Sequence, residues 1–161
     1  MYLLKQVKVE KDTILVGRPK SEDLENLSRQ GYERVLDIMP KALKDKGLAR
    51  RVKTVGMHYT HIPVEVCNED SCKIEEAWVV RFFRFINRSN QSPMIINTDD
   101  ETLGISLVIL SNLILEGQSY QQIIKAIEIL GISLKGRKEV KRFIRDFYDH
   151  YQRKQIGHKS S

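Results

Sequence analysis

Two adjoining segments most limit what this chain can become. PMIIN, residues 93–97, reads as a short apolar strand of the kind buried on both faces in a parallel sheet. LGISLVILSNLILEG, residues 103–117, reads as a helix apolar nearly all round, hence central, ended by Gly117. A strand covered on both faces, leading into an enclosed helix, points to layered α/β architecture.

The other segments supply the layers. TILVG (13–17) reads as a strand. The next helix should start at Ser21 as N-cap, turn Leu24 and Leu27 inward and stop at Gly31. ERVLDIM (33–39) is a strand ended by Pro40, and residues 41–56 are basic, irregular and partly helical. MHYTHIPVEV (57–66) is a further strand. Residues 73–88 form an amphipathic helix with Ile74, Trp78, Phe82 and Ile86 on one face. Ser119 and Gln122 make a capping box for a helix ended by Gly131. The last helix turns Val140, Phe143, Ile144, Phe147 and Tyr151 inward. The expected fold is a single α/β domain over 1–161, with its core at 12–150 and a basic tail at 151–161. Its centre is a mostly parallel sheet of four or five strands with helices on both faces.

Composition narrows the function classes. At 161 residues the chain can bury a real core, and 41% hydrophobic with 30% charged residues suits a globular protein. No apolar h-region opens the chain and no apolar run is long enough to span a bilayer, so the expectation is a cytoplasmic protein without membrane contact. Residues 135–161 hold nine Lys/Arg against three Asp/Glu, which equals the whole net charge of +6. Lys138, Lys141, Arg142 and Arg145 form a stripe on the last helix, and Arg81, Arg84 and Arg88 share a face of an earlier one. Stripes facing the same way would suit an acidic partner or nucleic acid. No recognition motif favours nucleic acid, and a solvated face is the simpler reading.

The order of segments resembles the cysteine-dependent tyrosine and dual-specificity phosphatases. The pieces that carry it are GRPKSEDLENLSRQGYERVLDI, GMHYTHIPVE and PMIINTDDETLGISLVILSNLILEGQSYQQIIKAI, together spanning roughly 12–150. The family's signature is His-Cys, five variable residues, Arg, then Ser or Thr. Aligned through Pro93, its His falls on Asn97, its Cys on Thr98 and its Arg on Gly104. Asp99, Asp100, Glu101, Thr102 and Leu103 take the variable positions, and Ile105 the Ser/Thr place. The resemblance implies the fold; the residues deny the chemistry. A Thr hydroxyl is far too weak an acid to replace a thiolate, and Gly104 offers no bidentate fork for phosphate. A carboxylate 4 Å from a phosphate charge costs about 1 kcal/mol in water and about 4 at an effective dielectric of 20.

The acidic run then has two readings. Thr98-x-x-Glu101 fits a capping box for the central helix, with Asp99 and Asp100 complementing its dipole. The rival is a divalent-metal site made from Asp99, Asp100 and Glu101, although consecutive residues at a helix start point in different directions. No metal or other cofactor is expected. In the resembled family an acid follows the strand at 57–66; Glu65, Glu69 and Asp70 are the candidates, idle without a nucleophile. Cys67 and Cys72 flank the same loop as C-x4-C, a redox pair or relocated nucleophile at most. His58 and His61, three apart on a strand, face opposite ways and would not chelate one metal. The expected function is a catalytically dead phosphatase-like protein that binds an unknown protein partner. The alternatives are an enzyme of changed chemistry, using the acidic loop with a metal or the cysteine pair, and an acidic-partner or nucleic-acid binder.

Overall fold

Five short segments pair into one sheet: β1 (Gln6–Glu10), β2 (Thr13–Val16), β3 (Arg34–Asp37), β4 (His58–His61) and β5 (Met94–Asn97). Their order across it is β1-β2-β5-β3-β4. The structure, a computed structural model, describes residues 4–10, 12–66, 75–88 and 92–159, without the side chains of 10, 83, 86–88 and 154–159. β2, β5, β3 and β4 run parallel, and β1 pairs antiparallel with β2 at the edge. This is the mostly parallel α/β sheet expected, with five strands. β5 is central and buried along its whole length, as its apolar run requires.

β1 was not foreseen. Its residues alternate, with Val7 and Val9 half-buried and Gln6 and Lys8 exposed, the pattern of an edge strand covered on one face. β4 is shorter than the span 57–66 and ends at His61, before Pro63, which has no N–H to give a ladder.

The chain divides into two compact units. The first comprises Met1–Glu65 with Ser89–Gly104, and the second Val66–Arg88 with Ile105–Ser161. The first holds the sheet, α1 (Ser21–Arg29) and α2 (Leu48–Thr54). Leu24, Leu27, Leu48 and Val52 from the two helices join Ile14, Val16, Val35, Met57 and Ile95 in its core. Ser21 is the first residue of α1 and not its cap. Lys20 holds the cap position, and its N–H donates to Asp23 Oδ2 at 2.7 Å. Gly31 follows the helix with φ +102°, the left-handed stop that glycine adopts freely.

The second unit is helical. α3 (Glu76–Arg88), α5 (Tyr120–Ile129) and α6 (Lys138–Lys159) lie in it with most of α4 (Glu101–Leu115). Trp78 stacks on Phe82 at 5.2 Å between centroids and meets Phe143 and Phe147 edge-on, so the aromatic face of α3 packs against α6. Val140, Phe143, Ile144 and Phe147 are buried as expected, while Tyr151 is only half-buried. α6 continues as helix to Lys159, so the basic residues from 151 onward extend it. The capping box of α5 forms: Gln122 N–H donates to Ser119 Oγ at 3.2 Å and Ser119 N–H to Gln122 Oε1 at 2.7 Å. Among the described residues no helix is long and apolar enough to cross a membrane.

Candidate functional site

The carboxyl ends of parallel strands are where open α/β sheets place their ligands. In this sheet the last register row is Val16, Asn97, Asp37 and His61. Three of the four are polar, and a side-chain bond links two of them, Asn97 and Asp37. Asn97 is 1% exposed; its Oδ1 accepts from Arg18 N–H at 2.9 Å, and its Nδ2 donates to Asp37 Oδ1 at 3.1 Å. Asp37, fully buried, also accepts from Met39 N–H at 3.1 Å and from the Tyr59 hydroxyl at 2.6 Å. Burial and the Asp37 carboxylate together push the Tyr59 phenol well above its usual range. His61 Nε2 bonds Met39 O at 2.8 Å. Asp37 is thus the hub that links β3 to Asn97 on β5 and Tyr59 on β4, and Asn97, in the signature His position, carries the network on to the Arg18 backbone after β2.

Past Asn97 the chain turns quickly into helix. Only residues 98–100 separate β5 from α4. Thr98, 8% exposed, accepts the Asp100 N–H on Oγ1 at 3.0 Å. Asp100 is the helix cap: its Oδ1 accepts the Leu103 N–H at 3.1 Å, and its carbonyl accepts the Gly104 N–H at 2.9 Å. The expected Thr98–Glu101 capping box does not form. α4 starts at Glu101, so Glu101 is already inside the helix and Asp100 has the cap geometry. Gly104 lies in the first turns of α4, where its missing side chain has a cause. A Cβ there would sit 3.0 Å from Leu15 Cδ1 and 3.0 Å from Thr98 Cγ2. The helix start rests directly on β2, and glycine permits that approach.

The three consecutive carboxylates have three different partners. Asp99 Oδ2 accepts from Arg18 Nε at 2.8 Å, Asp100 caps the helix, and Glu101 Oε2 accepts from Lys5 Nζ at 2.9 Å. They do not converge on one point. Arg18 holds a left-handed backbone, φ +53°, uncommon outside glycine and stabilised here by the bond from its N–H to Asn97. Beside the turn lies an open cavity of about 330 Å³, with Leu4, Val7, Leu15 and Val16 on its apolar side and Lys5, Asp99 and Glu101 on its polar side.

Of the remaining candidates, Thr102 is half-buried and Leu103 buried in the first turn of α4. Glu65 is exposed beyond β4. Glu69, Asp70, Cys67 and Cys72 lie outside the described residues. His58 is exposed, and His61 belongs to the network above. Arg81 and Arg84 are exposed on α3, whereas the Arg88 side chain is outside the description. On α6, Lys138, Lys141 and Arg145 are exposed and Arg142 half-buried. Arg145 is partly spent, pairing with Asp149 at 3.4 Å and lying 4.6 Å from the Tyr120 ring centre.

Sequence reasoning missed Arg18, Lys5, Asp37 and Tyr59. Lys5 and Glu101 are 96 residues apart, and Arg18 and Asp99 are 81 apart, so neither pairing leaves a local pattern. It noted the basic character of 41–56 but did not take it as a candidate site, although residues 41–53 hold six Lys/Arg and one acid.

No family model matches this sequence, and no curated protein matches it. Solved structures do. A DUF442 protein from Shewanella putrefaciens CN-32 superposes with a TM-score of 0.67 at 16% identity, covering 91% of this chain and 92% of its own. The core catalytic domain of the PP-IP phosphatase Siw14 from S. cerevisiae, solved with citrate, gives 0.61 at 16% identity, covering 96% and 92%. P. aeruginosa TpbA, solved in complex with phosphotyrosine, gives 0.62 at 10% identity, covering 92% and 93%. At these identities the likeness speaks for architecture. The chain has the fold of the tyrosine-phosphatase-like phosphatases.

Proposed function

We propose that this protein is a catalytically inactive member of the phosphatase fold that works as an interaction or regulatory module. The observation that carries this reading is the seating of Gly104. It occupies the place of the phosphate-gripping Arg, and a Cβ there would lie 3.0 Å from Leu15 Cδ1 and from Thr98 Cγ2, so a side chain enters only if these neighbours shift. The neighbouring replacements agree. Thr98, in the nucleophile's place, is buried and holds the Asp100 N–H. Its hydroxyl has no His beside it in sequence to take its proton. The helix N-terminus, which would bind an anion in an active relative, is capped by the Asp100 carboxylate of the chain itself. Asp99 and Glu101 place carboxylates where a phosphate would approach, and they occupy the nearby cations Arg18 and Lys5.

The test is hydrolysis of p-nitrophenyl phosphate, measured with and without Mg²⁺ and Mn²⁺. No turnover above buffer is expected. Metal-dependent turnover lost in Asp99→Asn or Glu101→Gln would overturn the reading in favour of a metal enzyme. Turnover lost in Cys67→Ser or Cys72→Ser would do so in favour of a relocated thiol.

A further inference from the structure

The chain carries a second dense positive run, apart from the one that leads into α6. Residues 41–53 carry Lys41, Lys44, Lys46, Arg50, Arg51 and Lys53 against Asp45 alone, a net +5 in 13 residues, the same net charge as in the 11 residues 135–145. The fold presents this run outward. Leu48 and Val52 are buried in the first unit's core, which turns Arg50 and Lys53 to solvent. Lys41, Lys44 and Lys46 are exposed along the 3-10 turn Lys41–Leu43 and the loop after it.

The single acid is already used. Asp45 Oδ1 accepts the Gly47 N–H at 3.0 Å, and its Oδ2 accepts from Arg51 at 2.5 Å. Lys41, Lys44, Lys46, Arg50 and Lys53 have no carboxylate partner among the described residues. Five exposed cations therefore share one short stretch, Lys44 lying 5.8 Å from the Tyr59 ring centre, and Leu43 stands among them at 54% exposed.

The place of this run in the fold matters. It leaves the carboxyl end of β3, whose last residue pairs in register with Asn97 at the end of β5. Arg51 also donates to Pro19 O at 3.3 Å, next to Arg18, which holds Asp99. A chain of contacts thus runs from the basic stretch to the rim of the closed phosphate site.

We propose that the 41–53 face docks an acidic segment of a partner protein, with carboxylate or phosphorylated side chains for the lysines and an apolar side chain for Leu43. This rests on the reading of the protein as an interaction module and names the partner's chemistry. A protein segment fits better than a nucleic acid for two reasons. Leu43 offers an apolar contact that a phosphate backbone does not use. The contact chain from this stretch also ends on a carboxylate, Asp99, which suits a short anion rather than a long one running that way.

The experiment is fluorescence anisotropy with three labelled probes: a peptide alternating Glu and Leu, the same peptide with phosphoserine for Glu, and a single-stranded oligonucleotide. The proteins are wild type, Lys41→Glu/Lys44→Glu/Lys46→Glu, Leu43→Ser and, as a distant control, Lys138→Glu/Lys141→Glu, each checked for folding by circular dichroism. We expect peptide binding that weakens with salt, falls at least about tenfold in the triple variant, falls less in Leu43→Ser and is unchanged in the control. The ratio of the two peptide affinities tells carboxylate from phosphorylated partners. Peptide binding absent in wild type, equal in wild type and triple variant, or lost in the α6 control would overturn the proposal. So would tighter binding of the oligonucleotide than of either peptide. Phosphatase turnover would overturn the inactive reading while leaving the binding result intact, so the two failures are separable.

Discussion

Gly104 and Leu15 touch so closely that a methyl group on the glycine would come within 3.0 Å of the leucine's Cδ1 and 3.1 Å of its Cδ2. Replacing Gly by Ala inside a helix ordinarily gains about 1 kcal/mol. Overpacking a tight contact costs about 1–3 kcal/mol. Gly104→Ala should therefore be destabilising by about 1 kcal/mol in urea denaturation. A more stable variant would show that Leu15 yields easily and that the seat is not closed. Thr98→Cys/Gly104→Arg should destabilise further and restore no p-nitrophenyl phosphate hydrolysis. Adding neutral residues at 99–101 should not rescue it, because the obstruction is steric as well as electrostatic.

The acidic run should rank by partner. Asp100→Ala removes a helix cap and should cost about 1 kcal/mol, within about 0.5–2. Asp99→Ala and Glu101→Ala break exposed pairs, one of them to a Lys5 that is 78% exposed, and should cost a few tenths of a kcal/mol at most, vanishing in high salt. Denaturation at low and high NaCl reads this order. Equal costs for all three, together with a melting-temperature rise on adding Mg²⁺ or Ca²⁺, would mean that they act jointly on a metal.

Asp45 links stability to pH. The Arg51 hydrogen bond, with smaller help from the Gly47 N–H and the Arg51 and Arg18 charges, holds its carboxyl below the usual carboxylate range against the opposing effect of burial. A depressed folded pKa contributes stability above the unfolded value of about 3.9, lost as pH falls through the folded value. Asp45→Asn should therefore be less stable than wild type near about pH 6, by under about 1 kcal/mol because the pair is a third exposed, and equal to it near about pH 2. A gap that persists unchanged into acid would assign the effect to packing.

The Tyr59 phenol behaves in the opposite sense. Its raised pKa, from burial first and then from Asp37, means that the neutral form is favoured in the fold. That stability is present below the unfolded value of about 10 and drains away as pH rises above it. Ultraviolet titration should show one tyrosine ionising only with unfolding. Tyr59→Phe leaves the buried Asp37 one donor short and should cost about 1–3 kcal/mol. A neutral Tyr59→Phe would show that the 2.6 Å contact contributes nothing to the fold.

The sequence alone determined whatever is local. β5 and α4 were legible because continuous apolar runs need burial whatever surrounds them. Ser119 and Gln122 were legible because a capping box closes within one turn, and Gly31, Gly117 and Gly131 because each takes a positive φ that other residues resist. The absence of the signature Cys and Arg was equally plain. Tertiary structure decided the rest. Which of Thr98, Asp99, Asp100 and Glu101 caps α4 depends on where the helix begins, and several adjacent acceptors suit a cap equally well on paper. The pairings Lys5–Glu101 and Arg18–Asp99 join residues that only the sheet order brings together, with β1 at the edge and β5 beside β2. The reason for Gly104 is a distance to Leu15, and such a distance exists only once helix and sheet have packed.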